Sequence, residues 1–348
     1  MNRIFQVLLV LPPLVLLAAY FHVSPLLLFI LSALAIVPLA KYIGDATEEI
    51  ALHTTPAVGG LMNATFGNAT ELIIGIFALH AGLIEIVKAS IVGSILGNLL
   101  LVLGMALFFG GIKRERQYFN ATAAKASASM LILAIIAFAI PAVFEATSPN
   151  LSAPTSLSLS VIIALIMIVA YFGHLFFTLH THKHLYRSEE DLIVPKGKIK
   201  ESIFILAFAT IAVAVMSDLL VGTITPLVAQ LGWTQLFIGV IFIAIVGNVA
   251  EHVSAIQAAV RDRMDLALSI ALGSAIQIAM LAAPLLVLAS LFFPIHLNLV
   301  FTLFELVSLV VAVWITNAVI EDGESTWLEG AQLLAAYGIM AIAFFLHP

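Results

Sequence analysis

The sequence predicts an all-α polytopic membrane protein with 11 transmembrane helices, one lone N-terminal helix followed by two inverted five-helix repeats. Of the 348 residues, 62% are hydrophobic and 10% are charged, whereas about a quarter of the residues of a soluble domain are charged. The basic residues are concentrated in alternate loops. The polar pattern Gly-Asn-x-x-Glu occurs twice, with its glutamates at positions 71 and 251. These three observations indicate a duplicated chain that crosses a bilayer many times.

Runs of about twenty apolar residues, the length of a helix that crosses a bilayer, determine the number of spans. We expect the first run to be a retained helix rather than a signal peptide, because Pro12 and Pro13 interrupt it and no clear cleavage site follows. The predicted spans cover residues 5–22, 25–43, 55–80, 85–110, 119–143, 155–180, 201–224, 235–259, 266–292, 297–319 and 326–347.

Charge orients these spans, because cytoplasmic loops carry an excess of Lys and Arg. With eleven spans, 13 of the 14 basic residues fall on one side of the membrane and Lys88 alone falls on the other. The thirteen are Arg3, Lys41, Lys113, Arg114, Arg116, Lys125, Lys183, Arg187, Lys196, Lys198, Lys200, Arg261 and Arg263. The sequence therefore predicts a cytoplasmic N-terminus and a C-terminus on the opposite side.

Residues also recur at a spacing of 180 positions, as the pair Gly59 and Gly239 shows. Five spans separate the two glutamate motifs, so the two copies enter the membrane from opposite sides and the repeat is inverted. Inverted repeats are typical of transporters, whose site lies near the midplane between the halves. The predicted division is an N-terminal helix, a first repeat, a cytoplasmic linker and a second repeat, at residues 1–24, 25–184, 185–200 and 201–348.

Each motif places a glutamate deep in the bilayer, where an ionisable residue is costly and indicates a functional site. Glu71 and Glu251 each lie about sixteen residues into a span, which is near mid-bilayer at a rise of 1.5 Å per residue. Asn68 and Asn248 precede them by three positions and share their helix face. The inverted symmetry brings both motifs to one central place.

A second polar segment follows each motif, and the two segments begin 180 residues apart. Each places a hydroxyl and an amide oxygen on roughly one helix face, although the two amides are offset by one position in the alignment. The residues are Ser94 and Asn98 in the first repeat and Ser274 and Gln277 in the second.

The combined donor set consists of oxygen atoms. Gly67 and Gly247 open the two motifs and allow either a close helix approach or a local break that frees backbone carbonyls. Four helices would thus supply two carboxylates, four amide oxygens, two hydroxyls and carbonyls. Such a set suits a hard cation, and two carboxylates with flexible oxygens favour Ca²⁺ over Mg²⁺.

A carboxylate in a low-dielectric site remains ionised only with a partner. We therefore expect protons to replace Ca²⁺ on Glu71 and Glu251 when the ion leaves, which is the minimum required for antiport. Sodium as the counter-ion, a cation channel and an intramembrane hydrolase remain open alternatives. The absence of an H-E-x-x-H sequence argues against a zinc protease, and the absence of further acidic ligands favours protons over sodium.

On these residues the sequence resembles the calcium/proton exchangers of the calcium/cation antiporter superfamily. The resemblance rests on Gly-Asn-Ala-Thr-Glu-Leu at 67–72 and Gly-Asn-Val-Ala-Glu-His at 247–252, and it extends over nearly the whole chain. It implies that Glu71 and Glu251 bind Ca²⁺ in exchange for H⁺. It also implies ligands from the two Gly-Asn segments and from Ser94, Asn98, Ser274 and Gln277. Family members often carry an acidic helix between the halves, where this chain has only Glu189-Glu190-Asp191.

Composition limits the remaining function classes. The chain has no cysteine, which excludes thiolate metal sites, disulfides and cysteine nucleophiles. We expect a transporter and not an enzyme, with no cofactor, transported Ca²⁺ and the counter-ion H⁺. The expected partners are small inorganic cations and the lipid bilayer of the cell (inner) membrane, and not nucleic acid. The sequence leaves homo-oligomer formation and selectivity among divalent cations open.

Overall fold

The structure, a computed structural model, describes residues 3–148, 152–182 and 197–347. Helices dominate it. Those of the first half are α1 (Arg3–Leu8), α2 (Leu11–Tyr20), α3 (Pro25–Leu52), α4 (Pro56–Phe66), α5 (Ala69–His80), α6 (Ile84–Leu96), α7 (Leu103–Gly111), α8 (Ala121–Thr147) and α9 (Ala153–Phe176). A π-helical segment, Gly97–Val102, joins α6 to α7, and another, Phe177–Thr181, continues α9.

The second half follows the same order of long and broken helices. They are α10 (Ile199–Gly222), α11 (Ile224–Leu231), α12 (Gln235–Phe237), α13 (Ala244–Val260), α14 (Met264–Gln277), α15 (Ala283–Ser290), α16 (Leu303–Ile320) and α17 (Trp327–Leu346). The π-helical segments Ile238–Ile243 and Ile278–Ala282 join α12 to α13 and α14 to α15. Two short strands, β1 (Gln117–Tyr118) and β2 (Glu324–Ser325), pair antiparallel.

The all-α polytopic fold is confirmed. Within the described residues, nine helical stretches are long and apolar enough to cross a membrane. The other two predicted spans, 5–22 and 55–80, are each divided into two shorter helices. The count of eleven spans therefore stays a prediction.

Helix α3 extends further than the sequence suggests. It begins at Pro25, where Ser24 caps the first turn by accepting a hydrogen bond from the Leu27 amide. It ends at Leu52 rather than near residue 43. As a result Lys41 lies eleven residues before the end of α3 and not at the end of a span, which corrects the predicted end of the second span.

Loop contacts define two faces of the molecule. One face, here called the basic face, carries the loops at 112–120, 261–263 and 321–326. Arg114 joins two of these loops by donating to the carbonyl oxygens of Gly110 and Val260 at the ends of α7 and α13. At the other end, the far face, Lys88 donates to Asn298 Oδ1 and to the Val300 carbonyl oxygen, both at 2.7 Å.

Burial separates central helices from peripheral ones. In the most apolar 18 residues of the stretches 84–111 and 264–290, 83% and 78% of the residues are buried. In the stretch 153–181 the corresponding share is only 22%. The first two stretches therefore form the centre of the molecule, and the exposed apolar side chains of α8, α9 and α10 form the surface suited to lipid. The two central stretches carry the second polar segments.

The connection between the halves is described only at its end. The acidic residues 189–191 and most of the predicted linker 185–200 lie outside the described residues. Helix α10 begins at Ile199, so the last two linker positions are already helical. The Gly197 amide donates to Glu49 Oε1 at 2.7 Å, which attaches the end of the linker to the end of α3.

Candidate functional site

A hydrogen-bonded network joins the two halves at the centre of the molecule. Asn98 Nδ2 donates to Asn248 Oδ1 at 2.9 Å and to Ser274 Oγ at 3.1 Å. Asn248 Nδ2 donates to Ser94 Oγ at 2.9 Å. All four side chains are at most 5% exposed. The second polar segments of both repeats therefore surround the asparagine of the second motif.

A matching contact holds the asparagine of the first motif. Asn68 Nδ2 donates to Gln277 Oε1 at 2.5 Å, and Gln277 also interacts with the Tyr171 hydroxyl of α9. Asn98 and Gln277 are thus equivalent, because each one contacts the motif asparagine of the other repeat. The one-residue offset seen in the sequence does not disturb this equivalence. Asn98 lies in the π-helical segment Gly97–Val102, and Gln277 directly precedes the segment Ile278–Ala282.

The two motifs differ in backbone structure. In the first, α4 ends at Phe66 and α5 begins at Ala69, so Gly67 and Asn68 form a break. In the second, α13 runs continuously through Gly247. Of the two alternatives allowed by the motif glycines, the local break occurs in the first motif and the close approach in the second.

Glu71 lies in the first turn of α5, where the positive end of the helix dipole favours an anion. Its side chain rests against Gly247 of α13, since a β-carbon built on this glycine would lie 3.1 Å from Glu71 Oε1. Both carboxylate oxygens are buried, and neither has a hydrogen-bond partner among the described residues. The carboxylate is therefore placed between the two halves with its oxygens free.

Glu251 lies one turn after Asn248 on α13. The two carboxyl groups are close enough to interact electrostatically, and Lys41 of α3 also acts on Glu251. The neighbouring His252 is 6% exposed, and its Nε2 atom has no partner within the described part of the chain. Two acidic groups thus lie together at the interface between the two halves.

Several buried oxygen atoms around Glu71 have no hydrogen-bond partner among the described residues. Besides the two oxygens of Glu71, Asn68 Oδ1 and Asn98 Oδ1 are buried without a hydrogen-bond partner in the described residues. Buried polar atoms are normally satisfied, so four free oxygens in one place indicate a bound species that donates or carries positive charge. An oxygen set of carboxylates and amides suits a hard cation.

The ten predicted site residues differ in the contacts that they make. Ser94, Ser274, Asn248 and Gln277 use their oxygens in the hydrogen bonds between the halves. Asn68, Asn98 and Glu71 keep oxygens free. Gly67 and Gly247 supply the break and the contact surface, and Glu251 supplies the second carboxyl group. In the described residues no three His, Asp or Glu side chains cluster as a metal site, so the acidic charge of the site comes from this pair.

The site is closed toward the far face. Gly239, in the π-helical segment before α13, packs against Ala89 of α6, and Gly93 of α6 packs against the backbone of Val240. A β-carbon on either glycine would overlap the facing helix. Ala89 is 0% exposed. The two helices therefore touch along their backbones between the site and the far face.

Toward the basic face, the corresponding contact is open. The residues 180 positions away from those of the closed contact are Gly59 and Gly60 on α4 and Ser269 and Gly273 on α14. A β-carbon on Gly273 would meet nothing within 4 Å, and Ser269 is exposed. Val58 is 46% exposed, whereas its counterpart Ile238 is 0% exposed. Helix α4 packs instead on α3 and on the end of α9.

Sequence reasoning missed two features of this site. Tyr171 carries no signal of its own in the apolar run of α9. Lys41 was placed at the cytoplasmic end of the second span, because that span was ended near residue 43. The spacing of four residues between Lys41 and Asp45 is typical of an ion pair on one helix face and would have extended the helix past both residues.

Comparisons with known proteins agree over almost the whole chain. The family model described as sodium/calcium exchanger protein matches residues 24–180 and 201–346. The chain is 49% identical to the Ca²⁺/H⁺ antiporter ChaA of Bacillus subtilis (strain 168), over 99% of this chain and 100% of that protein. It is 44% identical to a Ca²⁺/H⁺ antiporter of Synechocystis sp., over 100% of this chain and 98% of that protein.

Solved structures share the fold. The structure of native YfkE matches with a TM-score of 0.87 and 47% identity, over 99% of this chain and 100% of that chain. The crystal structure of the H⁺/Ca²⁺ exchanger CAX matches with a TM-score of 0.74, over 98% of this chain and 91% of that chain. At 14% identity, the second match shows the fold alone.

Proposed function

The chain belongs to the sodium/calcium exchanger protein family, and we propose that it is a secondary active transporter that exchanges Ca²⁺ for H⁺ across the membrane. The resemblance to the calcium/proton exchangers that the sequence indicated is confirmed by these relatives. The chain is an integral membrane protein. The proposal adds a site, a coupling mechanism and an orientation.

The observation that carries the proposal is the group of free oxygens around Glu71. A buried carboxylate with no partner is costly, and two of them that face each other are more so. Ca²⁺ relieves this cost by neutralising Glu71 and Glu251 together, with Asn68 Oδ1 and Asn98 Oδ1 as further ligands. Ca²⁺ is here the cargo of the protein and not a resident metal.

Protons relieve the same cost when Ca²⁺ is absent. Two protons on the two carboxyl groups carry the charge of one Ca²⁺, so the loaded and the protonated states have similar net charge. The bare dianion is disfavoured in a low-dielectric site. The protein therefore changes its access side while carrying either Ca²⁺ or protons, and the two fluxes are coupled.

Access alternates through the two half-helices that precede the glutamates. The described state is closed at Gly239, whereas a β-carbon on Gly273 of α14 would meet nothing within 4 Å. In an inverted repeat, the opposite state is obtained when the two halves exchange conformations. Segment 56–66 then closes on α14, and segment 235–243 leaves α6. The divisions 25–184 and 201–348 are the two repeats in this mechanism.

Orientation follows from charge. The loops that define the basic face carry five Lys and Arg residues, namely Lys113, Arg114, Arg116, Arg261 and Arg263, and cytoplasmic loops are enriched in these residues. We place the basic face and the N-terminus in the cytoplasm and the C-terminus on the other side of the cell membrane. The described state is then open to the cytoplasm, where Ca²⁺ enters for export.

A Na⁺/Ca²⁺ exchanger is the second candidate, because the matching family model carries that description. The described site supplies two carboxyl groups and amides. Separate sodium sites beside a calcium site would be easier to build with additional acidic ligands. The donor set therefore favours protons.

The decisive experiment uses the full-length protein in sodium-free vesicles. An imposed pH gradient should drive uptake of radiolabelled Ca²⁺, and a protonophore should abolish it. Glu71→Gln and Glu251→Gln should each lose Ca²⁺ binding and exchange together. Glu115→Gln changes an exposed loop carboxylate and serves as the matched control with wild-type flux. Uptake that requires a sodium gradient would contradict proton coupling, and flux without any counter-ion would indicate a channel.

A further inference from the structure

The free oxygens of the site come from the first repeat alone. Of the ten candidate site residues, those with buried oxygens that lack a hydrogen-bond partner in the described part of the chain are Glu71, Asn68 and Asn98. The two amide oxygens of the second repeat are engaged. Asn248 Oδ1 accepts from Asn98 Nδ2 at 2.9 Å, and Gln277 Oε1 accepts from Asn68 Nδ2 at 2.5 Å. The described state thus offers the oxygens of one repeat to a cation and withholds the amide oxygens of the other.

Backbone contacts fix the direction of the bond between Asn98 and Asn248. Asn248 Nδ2 donates to the Ala244 carbonyl oxygen at 2.9 Å, and Asn98 Nδ2 donates to the Ser94 carbonyl oxygen at 3.0 Å. A carbonyl oxygen only accepts hydrogen bonds, so the NH₂ group of each amide must face its carbonyl. Asn98 therefore serves as the donor toward Asn248, and its own Oδ1 remains free.

The backbone of each motif determines whether its asparagine is engaged. Asn248 lies inside the continuous helix α13 and bonds to the carbonyl one turn before it. Asn68 lies at the break between α4 and α5, with a φ of -106° and a ψ of 26°, and its side chain does not cap α5. Because a glycine precedes the asparagine in both motifs, at Gly67 and Gly247, either motif is able to break or to continue as a helix.

We propose that the two repeats hold Ca²⁺ in turn, and that the two amide hydrogen bonds between the halves reverse direction when access changes. This inference rests on the proposed function. When inverted repeats exchange conformations, Asn68 takes the contacts that Asn248 has now, and Gln277 takes those of Asn98. Gln277 then donates to Asn68 Oδ1. Asn248 likewise donates to Asn98 Oδ1. The same pairs stay bonded in both states, but the free amide oxygens now belong to Asn248 and Gln277, beside Glu251.

Each face of the membrane then has its own set of ligands. Ca²⁺ that enters from the basic face meets the free oxygens of Glu71, Asn68 and Asn98. Ca²⁺ at the far face meets those of the second repeat. A single amide should therefore control the affinity at one face and not at the other, which a site with one fixed set of ligands does not allow.

Asn68→Ala and Asn248→Ala form a matched pair, because each removes the amide of one motif at equivalent positions. Asn68→Ala should raise KM for Ca²⁺ about tenfold at the basic face, the effect of one lost ligand, and leave KM at the far face within about threefold of wild type. Asn248→Ala should raise KM more at the far face than at the basic face. Inside-out and right-side-out vesicles of the full-length protein give KM at each face, from initial rates of radiolabelled Ca²⁺ uptake at one fixed pH gradient.

The comparison of the two faces of Asn68→Ala is its own control, because damage to the fold lowers the maximal rate and does not raise KM at one face alone. An increase in KM that is equal at both faces or larger at the far face would overturn the proposal, as would no change at either face. Changes in opposite directions would also overturn it, because they indicate a shift between the two states rather than a lost ligand. If Asn248→Ala does not fold, Asn68→Ala still decides. Wild-type protein without Ca²⁺ uptake driven by a pH gradient would remove the proposed function itself.

Discussion

The carboxylate of Glu71 lies against the α-carbon of Gly247. A β-carbon at Gly247 would stand 3.0 Å from Glu71 Cγ and 3.1 Å from its Cδ and Oε1. The glycine of the second motif thus provides the surface on which the acid of the first motif rests. The reverse contact is not made, since the nearest neighbours of Gly67 are Asn63 and Gln277. This difference accompanies the displacement of α4 from the centre.

Gly247→Ala should weaken Ca²⁺ binding. The added methyl group is closer to Glu71 than a normal contact allows, so the carboxylate must shift by a few tenths of an ångström. Overpacking of this kind costs ~1–2 kcal/mol, which is a factor of about 5–30 in affinity. Calorimetric titration of purified protein with Ca²⁺ measures it. Gly338→Ala, with nothing within 4 Å of its added carbon, is the control, and equal affinities in the two variants would contradict the contact.

Gly273→Val should separate binding from transport. Its counterpart Gly93 allows α6 to touch the backbone of Val240 in the closed contact. By symmetry, Gly273 should allow α14 to touch α4 when the cytoplasmic side closes. In the described state the added side chain has open space, so Ca²⁺ binding should persist while exchange is lost.

Gly173→Val is the matched control for this substitution. Gly173 also lies in a helix, is exposed, and has nothing within 4 Å of a built β-carbon, so it carries the same cost of a β-branched residue in a helix. The measurements are Ca²⁺ titration and vesicle flux on both variants. Full exchange in Gly273→Val would show that α4 and α14 do not close on each other.

Single cysteines should report which side is open, because the chain has no cysteine of its own. Ser269→Cys places a thiol at an exposed position of α14, and Ala89→Cys places one at the buried counterpart on α6. A membrane-impermeant thiol reagent should modify Ser269→Cys from the cytoplasmic side and leave Ala89→Cys unmodified in the same state. Labelling of inside-out and right-side-out vesicles measures this. Labelling of Ser269→Cys only from the outside would contradict the proposed cytoplasmic position of the basic face.

The sequence singles out the polar residues of the candidate site more clearly than it shows the bounds of the helices that hold them. Glu71 and Glu251 stand out because an acidic residue in an apolar run has few structural explanations, and the spacing of 180 makes them a pair. Asn98 and Gln277 were selected because they lie in polar segments that begin 180 residues apart, although the two amides are offset by one position. Periodicity and hydropathy do not show where a helix is interrupted. The sequence around Gly67, where the helix breaks, is similar to the sequence around Gly247, where the helix is continuous.

The sequence also does not show that the helix contact on the far face is closed while the equivalent contact on the basic face is open. Val58 and Ile238 are similar apolar residues at equivalent positions, yet one is exposed and the other buried. Both states of a transporter are encoded by the same residues, so only the structure shows which contact is made. The ion pair of Lys41 with Asp45 was missed because the length of α3 was underestimated.

Asn98 and Ser94 should have unequal importance for Ca²⁺ binding, although both belong to the central network. Asn98 donates to Asn248 and Ser274 and keeps Oδ1 free. Asn98→Ala removes a free oxygen and these two bonds, so we expect Ca²⁺ affinity to fall by more than about tenfold, or 1.4 kcal/mol, with a lower Tm. Ser94→Ala removes one acceptor of Asn248, whose amide still donates to the Ala244 carbonyl oxygen at 2.9 Å. That loss is worth about 1 kcal/mol of stability and should leave exchange within about threefold of wild type. Calcium titration and thermal unfolding of both variants distinguish a ligand from a supporting bond, because loss of binding in Ser94→Ala at an unchanged Tm would make the serine hydroxyl a ligand too.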